Sequence, residues 1–338
     1  MHMIDATGLS VGHLLLPDRY GGETLLVLVK GTWRIGNGGT LSLAEEQVPV
    51  HLEPVYLGEP GASSLIQDTD VVTEKPGTDC ILLGQAWAPK GGRAGSVAVS
   101  FAVGPVRRTV RVFGERIWMK CLWVSMSDPV PFESMPLLWE RSFGGTDTSS
   151  PDPAHHEFCL ENPVGRGLLA QKTKLQIDGM RLPNLEDPAC LIRYPKDRPR
   201  PVGFCPVPAH WQPRAGYAGT YDDSWRKHVC PLPPEDQDPR FYSSAAPGLT
   251  TPHYLTGTEA VLVDNANRHG RLAFPLPGVK PQVTVCLGHA NEELAMALDT
   301  VIVEPDEERL VLVWRGKCTV HGRLHLVGQI SVNLLKLR

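Results

Sequence analysis

Residues 97–113 read VAVSFAVGPVRRTVRVF, and this stretch decides the fold class. Apolar side chains alternate with small ones from Val97 to Val103. After the dipeptide Gly104-Pro105, they alternate with arginine and threonine from Val106 to Phe113. Alternation with a period of two on both sides of a turn dipeptide predicts an antiparallel hairpin with one face exposed to water.

Strand patterns continue on both sides of this hairpin. The apolar run from Leu25 to Val29 has the length of a strand buried on both faces, and Thr300 to Trp314 predicts a second hairpin. Residues 290–298 predict a short helix. Strands do not alternate with helices, so a parallel sheet is not expected. These patterns together predict a mainly β protein with antiparallel, sandwich-like sheets and few short helices.

Glycine and proline are abundant, with 33 and 31 residues among 338. Both residue types favour turns, so the composition predicts many turns and long ordered loops. We expect three regions. Residues 1–130 form an N-terminal β region, and residues 131–258 form a loop-rich insertion crowded with proline and aromatic residues. Residues 259–338 form a C-terminal β region that packs on the first.

Charge and cysteine usage narrow the class of protein. The net charge of −4 comes without a basic stripe, so the sequence does not predict a nucleic-acid partner. The first residues lack the pattern of a signal peptide, and no stretch has the length of an apolar membrane helix. The eight cysteines are isolated, without any CxxC pair, which favours reduced thiols in the cytoplasm over disulfides or zinc. We expect no cofactor and no membrane partner.

Two groups of residues raise the alternative of a catalytic or ligand-binding site. The pairs His155-His156 and His321/His325 could ligate a metal, although surface histidines in turns explain both pairs without one. Four carboxylates surround Trp139 in the sequence, a composition that a carbohydrate-binding or carbohydrate-hydrolysing β protein would also show. These carboxylates are Glu133, Glu140, Glu157 and Glu161. No motif places a nucleophile beside a base, so we do not expect an enzyme.

The middle region carries short motifs in a fixed order. They are WERSFGGTD (139–147), ENPVGRG (161–167), LPNLE (182–186), PVGF (201–204), WQPR (211–214), AGTYD (218–222), DPRF (238–241) and AAP (245–247). In this order the chain resembles the bacterial family labelled domain of unknown function 2169, whose members are described as type VI secretion accessory proteins. The resemblance extends from KGTW (30–33) to LDTV (298–301) and WRG (314–316). Gln237 departs from it, because an aromatic residue is expected there.

The resemblance implies a cytoplasmic chaperone or adaptor without catalytic activity. Such a protein would hold a toxic effector, through the PAAR-like spike-tip domain of that effector, and deliver it to the VgrG-type spike of the secretion machine. The pentapeptide repeats fused to some family members are absent, which implies a stand-alone adaptor. Tryptophan, tyrosine and arginine are the residues that interfaces favour. The hypothetical partner-binding residues are Trp211, Arg214, Tyr217, Tyr221, Trp225, Arg240 and Phe241.

Overall fold

The structure is a computed structural model that describes residues 2–18, 20–120, 122–169 and 172–337. Cys121 lies outside the described residues. Strands account for 42% of the chain and helices for 10%, which confirms the prediction of a mainly β fold with little helix. None of the helices described has the length and apolar character needed to span a membrane.

The strands in chain order are β1 (His2–Asp5), β2 (Ser10–Pro17), β3 (Glu23–Ile35), β4 (Leu41–Leu43), β5 (Val55–Tyr56), β6 (Leu65–Gln67), β7 (Asp79–Leu82), β8 (Gln85–Trp87), β9 (Ser96–Val103), β10 (Val106–Phe113), β11 (Trp118–Lys120), β12 (Val124–Met126), β13 (Ser134–Pro136), β14 (Phe143–Gly144), β15 (Thr146–Asp147), β16 (Glu157–Phe158), β17 (Arg166–Gly167), β18 (Leu185–Glu186), β19 (Ala260–Asn267), β20 (Gly270–Pro275), β21 (Val279–Leu287), β22 (Ala290–Leu294), β23 (Ala297–Glu304), β24 (Arg309–Thr319) and β25 (Val327–Lys336). The α-helices are α1 (Lys174–Ile177) and α2 (Asp223–His228). Short 3-10 helices lie at Asn37–Gly39, Pro89–Gly91, Trp139–Arg141, Pro153–His155, Arg214–Tyr217, Pro239–Tyr242, Pro305–Glu307 and Leu324–Leu326.

The first sheet joins the two ends of the chain. Its strand order is β2-β3-β24-β23-β7, and β4 adds to one end of β3. The apolar run in β3 is buried on both faces, as its continuous hydrophobicity predicts. Antiparallel pairing of β23 with β24 confirms the hairpin predicted over Thr300 to Trp314. β7 pairs with β23 in parallel at the sheet edge.

The second sheet contains the hairpin that decided the fold class. Val97 to Phe113 form β9 and β10 in the predicted antiparallel register, with Gly104 at a φ of 50° in the turn. Val99 and Val110 are buried, and Arg111 is exposed, so the two faces of the hairpin differ as the alternation predicts. The strand order is β18-β10-β9-β19-β20, which again combines N-terminal with C-terminal strands.

The third sheet corrects the prediction of a helix at 290–298. Residues Ala290–Leu294 are β22, which pairs with β21 in a hairpin, and β23 begins at Ala297. Leu294 and Met296 are buried, and both pack against Gly316 of β24. Pairing and burial in the tertiary structure therefore override the local helix propensity of this glutamate- and alanine-rich segment. The strand order is β1-β25-β21-β22, with β1 parallel to β25.

The inner faces of the three sheets share one hydrophobic core. Edge-to-face aromatic pairs connect its parts, with ring centroids 6.0 Å apart for Trp33 and Trp314 and 6.2 Å apart for Phe101 and Phe204. Phe204 belongs to the loop-rich middle region and is fully buried. The middle region therefore packs into the core through its own aromatic residues. A smaller separate core contains Trp118, Phe143, Leu169, Ile177, Leu182 and Ile192.

Candidate functional site

The motifs with the strongest sequence signal form a buried framework. The Asn162 side-chain amide donates hydrogen bonds to the carbonyl oxygens of Trp139 and Phe143, each at 2.9 Å. Gly144 lies so close to the backbone of Asn162 that a side chain there would overlap its carbonyl oxygen. Ser142 accepts a hydrogen bond from the backbone of Val202. These contacts stabilise the backbone path of the middle region, and the side chains of Trp139, Phe143 and Asn162 are buried.

Trp139 and Glu140 cannot serve as a sugar platform in this arrangement. Trp139 is buried, and its indole N–H donates to the Pro206 carbonyl oxygen at 2.8 Å. The Glu140 carboxylate accepts hydrogen bonds from the backbone N–H and the hydroxyl of Ser64. Both groups are therefore occupied by contacts within the protein.

The histidine pairs do not gather further ligands. His321 and His325 lie in a turn and a short 3-10 helix between β24 and β25, and not on one strand face. Nε2 of His156 lies 2.9 Å from the Ser150 carbonyl oxygen. Among the described residues, no group of three or more histidine, cysteine, aspartate or glutamate side chains is placed to hold a metal ion.

Two of the seven predicted binding residues are buried. Trp211 is 1% exposed and packs edge-to-face on Trp139, with ring centroids 6.5 Å apart. Arg214 is 4% exposed, and its guanidinium forms an ion pair with Asp68 at 2.6 Å. The same guanidinium donates to the carbonyl oxygens of Val207 and Phe241 at 2.8 and 2.7 Å. Trp211 and Arg214 are therefore internal supports in this structure, and the accessible members of the predicted set are the other five.

Arg214 fixes the base of a segment that we call the aromatic loop, residues 213–242. Arg240 lies over the Tyr217 ring, with its guanidinium carbon 4.2 Å from the ring centroid, and it is exposed. The Arg240 guanidinium also binds the Asp238 carboxylate, at 2.6 Å from Nη2 to Oδ2. Hydrogen bonds from Arg240 hold the pKa of Asp238 below its ordinary value. This pair presents a cation and an aromatic ring together at the surface.

Tyr221 and Trp225 form the second exposed part of the aromatic loop. The Asp222 side chain caps α2 by accepting from the Trp225 backbone N–H, which fixes the short helix. The Tyr221 and Trp225 rings meet edge-to-face with centroids 4.6 Å apart. The indole N–H of Trp225 donates to the Leu232 carbonyl oxygen at 2.9 Å, and Tyr221 remains 54% exposed. Partial burial raises the pKa of Tyr221 above its ordinary value.

Two concave surfaces border the aromatic loop. The small hollow has a volume of about 360 Å³, and Tyr217 and Arg240 line it together with Pro213 and Ser243. The large hollow has a volume of about 750 Å³, and Tyr221 and Phe241 line it. The structure therefore places five of the predicted residues on the two hollows, including the buried Arg214, and Trp225 contacts Tyr221 edge-to-face.

The structure also exposes large hydrophobic residues that the sequence did not single out. Tyr20 is 86% exposed in the turn between β2 and β3, beside the large hollow. Leu122 and Trp123 are 91% and 69% exposed in the turn between β11 and β12. Neither position belongs to a motif, and an aromatic residue in a turn gives no sequence signal that separates exposure from burial.

Comparison with known proteins yields one family. The model of DUF2169, described as an uncharacterized protein conserved in bacteria, matches residues 20–315. No curated protein and no solved structure matches the chain.

Proposed function

Since the chain belongs to the DUF2169 family of uncharacterized bacterial proteins, we propose that it is a non-enzymatic effector chaperone or adaptor. It binds a type VI secretion effector through a PAAR-like domain of that effector and helps to load it onto the VgrG-type spike. It acts in the cytoplasm. This proposal takes its partner from the resemblance of the ordered motifs to accessory proteins of that secretion system.

The aromatic loop is the observation that carries the proposal. It presents Tyr217, Tyr221 and Arg240 beside two hollows, on a base fixed by the buried Arg214. Tyrosine, tryptophan and arginine dominate the binding energy of protein interfaces, because each buries a large area with a polar group at its end. A rigid base also lowers the entropy lost when the loop is ordered by a partner.

The contact set that the structure supports is smaller than the predicted one. It contains the five accessible residues Tyr217, Tyr221, Trp225, Arg240 and Phe241. Trp211 and Arg214 support them from below. A partner that covers the aromatic loop would contact both hollows, since Arg240 lines the first and the neighbouring Phe241 lines the second.

The experiment is co-purification of the effector encoded beside this protein with wild-type chain and with two tyrosine variants. Tyr221→Ala removes an exposed ring of the aromatic loop, and Tyr194→Ala removes a ring of similar exposure, 61%, outside it. If Tyr221 is an anchor, we expect Tyr221→Ala to cost about 2 kcal/mol of binding, roughly a thirtyfold increase in Kd. Tyr194→Ala should bind like wild type.

Melting temperatures complete the measurement. Both variants should melt within a few degrees of wild type, because both rings are exposed. The absence of effector binding by the wild-type protein would contradict the adaptor function. Equal binding by wild type and by alanine variants at all five accessible positions would place the binding surface outside the aromatic loop.

A further inference from the structure

Among the described residues, the large hollow has four walls. The turn between β2 and β3 contributes Asp18 and Tyr20, and the aromatic loop contributes Tyr221 and Phe241. The third wall contains Glu292 of β22 and residues 317–319 of β24, and the fourth contains Thr73 and Glu74. A hollow whose walls come from two sheets and from the aromatic loop, which Arg214 fixes at its base, keeps its shape without a ligand. This favours binding by a preformed surface.

The walls are aromatic and proline-rich. The rings of Tyr20 and Tyr221 are exposed, and Pro231, Pro233 and Pro239 also line the hollow. The faces of aromatic rings attract cations, and arginine is the side chain most often found on them. Prolines add rigid apolar surface without a backbone N–H. The lining therefore suits the stem and the guanidinium of an arginine.

The described residues of the lining carry a net negative charge. Among the described lining residues, the carboxylates of Asp18, Glu74 and Glu292 face a single ammonium group, that of Lys317. Lys317 is paired with Glu74 at 2.7 Å, which neutralises that carboxylate. Asp18 accepts hydrogen bonds from the backbone N–H groups of Tyr20 and Gly22, each at 2.8 Å, so its charge is fixed in the wall.

The edge of the third sheet reaches this hollow. β22 is the last strand in that sheet, and among the described residues it pairs only with β21. Its outer side therefore offers backbone N–H and C=O groups to an added strand. Glu292, in the middle of β22, lines the hollow. A chain that pairs with this edge would extend along the acidic and aromatic wall.

We propose that the large hollow binds an extended, basic segment of the partner protein, whose arginine or lysine side chains contact Tyr20 and Tyr221 and the carboxylates of Asp18 and Glu292. This inference deepens the proposed adaptor function and rests on it for the identity of the partner. The chemistry of the segment follows from the lining alone.

The test uses the full chain and two labelled ten-residue peptides, one alternating arginine with threonine and one alternating glutamate with threonine. We expect the basic peptide to bind at least about tenfold more tightly than the acidic one at low salt, and to weaken as salt is raised. Equal binding of the two peptides, or binding of neither, would overturn the inference.

A matched pair of variants locates the peptide. Glu292→Lys and Glu293→Lys make the same charge change on neighbouring residues of β22, whose side chains point to opposite faces. Glu293 is exposed on the face where it accepts from the Gln282 amide at 3.1 Å. Glu292→Lys should weaken the basic peptide by about tenfold, and Glu293→Lys by less than about twofold. Equal effects of the two would show general charge attraction and overturn the site.

Tyr20→Ala is the second variant, because loss of an exposed ring leaves the fold intact. We expect it to weaken binding of the basic peptide by about fivefold, with binding by Tyr194→Ala unchanged.

Binding of the effector separates this inference from the adaptor function. An effector that binds wild type and Glu292→Lys equally retains the adaptor function and rejects the basic segment. An effector that does not bind wild type rejects the adaptor function, while the peptide measurements still decide the preference of the hollow.

Discussion

Arg214 and Arg240 lie in the same loop and contact neighbouring aromatic rings, yet only Arg240 is exposed. The three guanidinium nitrogens of Arg214 contact Asp68, Val207 and Phe241, so the side chain joins segments that are distant in sequence. The Arg240 side chain contacts its own loop neighbours Tyr217 and Asp238. The same residue type is therefore buried among internal contacts at one position and accessible to a partner at the other.

This difference predicts opposite effects of alanine substitution. Arg214→Ala leaves the Asp68 carboxylate without its cation and two carbonyl oxygens without their donor, so we expect a loss of about 3–5 kcal/mol in the free energy of unfolding. Arg240→Ala should leave stability nearly unchanged and weaken effector binding. Urea denaturation of both variants measures the difference. A small effect of Arg214→Ala would show that the buried contacts of the loop are dispensable.

Residue composition alone could not make this distinction. Trp211, Tyr221 and Trp225 share the residue types that predict an interface, and burial separates only Trp211 from the others. Burial depends on contacts such as Trp211 with Trp139, which are far apart in the sequence. The sequence therefore predicted the segment that carries the candidate site, and the tertiary structure selected the residues within it.

Two short strands in the middle region depend on glycine more than on the strand propensity of their residues. β14 and β17 pair in parallel through Phe143 with Arg166 and Gly144 with Gly167. Gly144 has a φ of 147°, and its α-carbon lies against the backbone of Asn162. Only glycine combines this backbone angle with so close an approach. The backbone geometry of β14 therefore requires a glycine at position 144 of the motif SFGG.

Gly144→Ala should therefore destabilise the protein strongly. The positive φ costs about 1 kcal/mol, and overlap with the Asn162 carbonyl adds a further cost of about 1–3 kcal/mol. Gly179→Ala is the matched control, since Gly179 has a φ of 77° with open space around the position of a side chain. It should lose only the cost of the backbone angle. Equal losses of melting temperature in the two variants would argue against close packing at Gly144.

Elements with strong periodicity were predictable, and β22 was not. The hairpin of β9 and β10 has a period of two on both strands, whereas Ala290–Leu294 has mostly exposed residues and no clear period. The edge position of β22 explains the missing pattern, because an outer strand with few buried side chains carries little hydrophobic signal. The same exposed edge forms a wall of the large hollow.

At the scale of the whole molecule, sequence order and spatial order differ. β3 lies between β2 and β24, β9 lies between β10 and β19, and β25 lies between β1 and β21, so each of the three large sheets needs strands from both ends of the chain. The sequence predicted β regions at both ends. It could not predict which strands pair or in which register, because pairing between strands so distant in the chain leaves no pattern in the local sequence. The middle region closes the core with Phe204 and Trp211.

Buried charges connect the same distant regions. Lys75 is buried, and its ammonium group contacts Asp79 and Thr300, each at 2.8 Å. Burial lowers the pKa of Lys75, but the carboxylates of Asp79 and Asp299 outweigh it, so the pKa is raised and the lysine stays charged. Arg315 pairs with Asp299 and donates to the Asp70 carbonyl oxygen at 2.7 Å. Segment 70–79 is therefore hydrogen-bonded to β23 through Thr300 and to β24 through Arg315.

These contacts predict that residues 1–130 do not fold alone. The isolated fragment would expose the apolar strand β3 along the edge that pairs with β24, and it would leave Lys75 without Thr300. Loss of the partner strands removes apolar burial worth about 1.5–3 kcal/mol for each large side chain, more than the stability of an ordinary domain when summed over both sheets. We expect a fragment without cooperative thermal unfolding, measured by circular dichroism.

Coexpression with residues 131–338 is the control and should restore the unfolding transition, because the break in the chain falls beside Val130, which is 58% exposed. A sharp unfolding transition in the fragment alone would show that the N-terminal region is an independent domain.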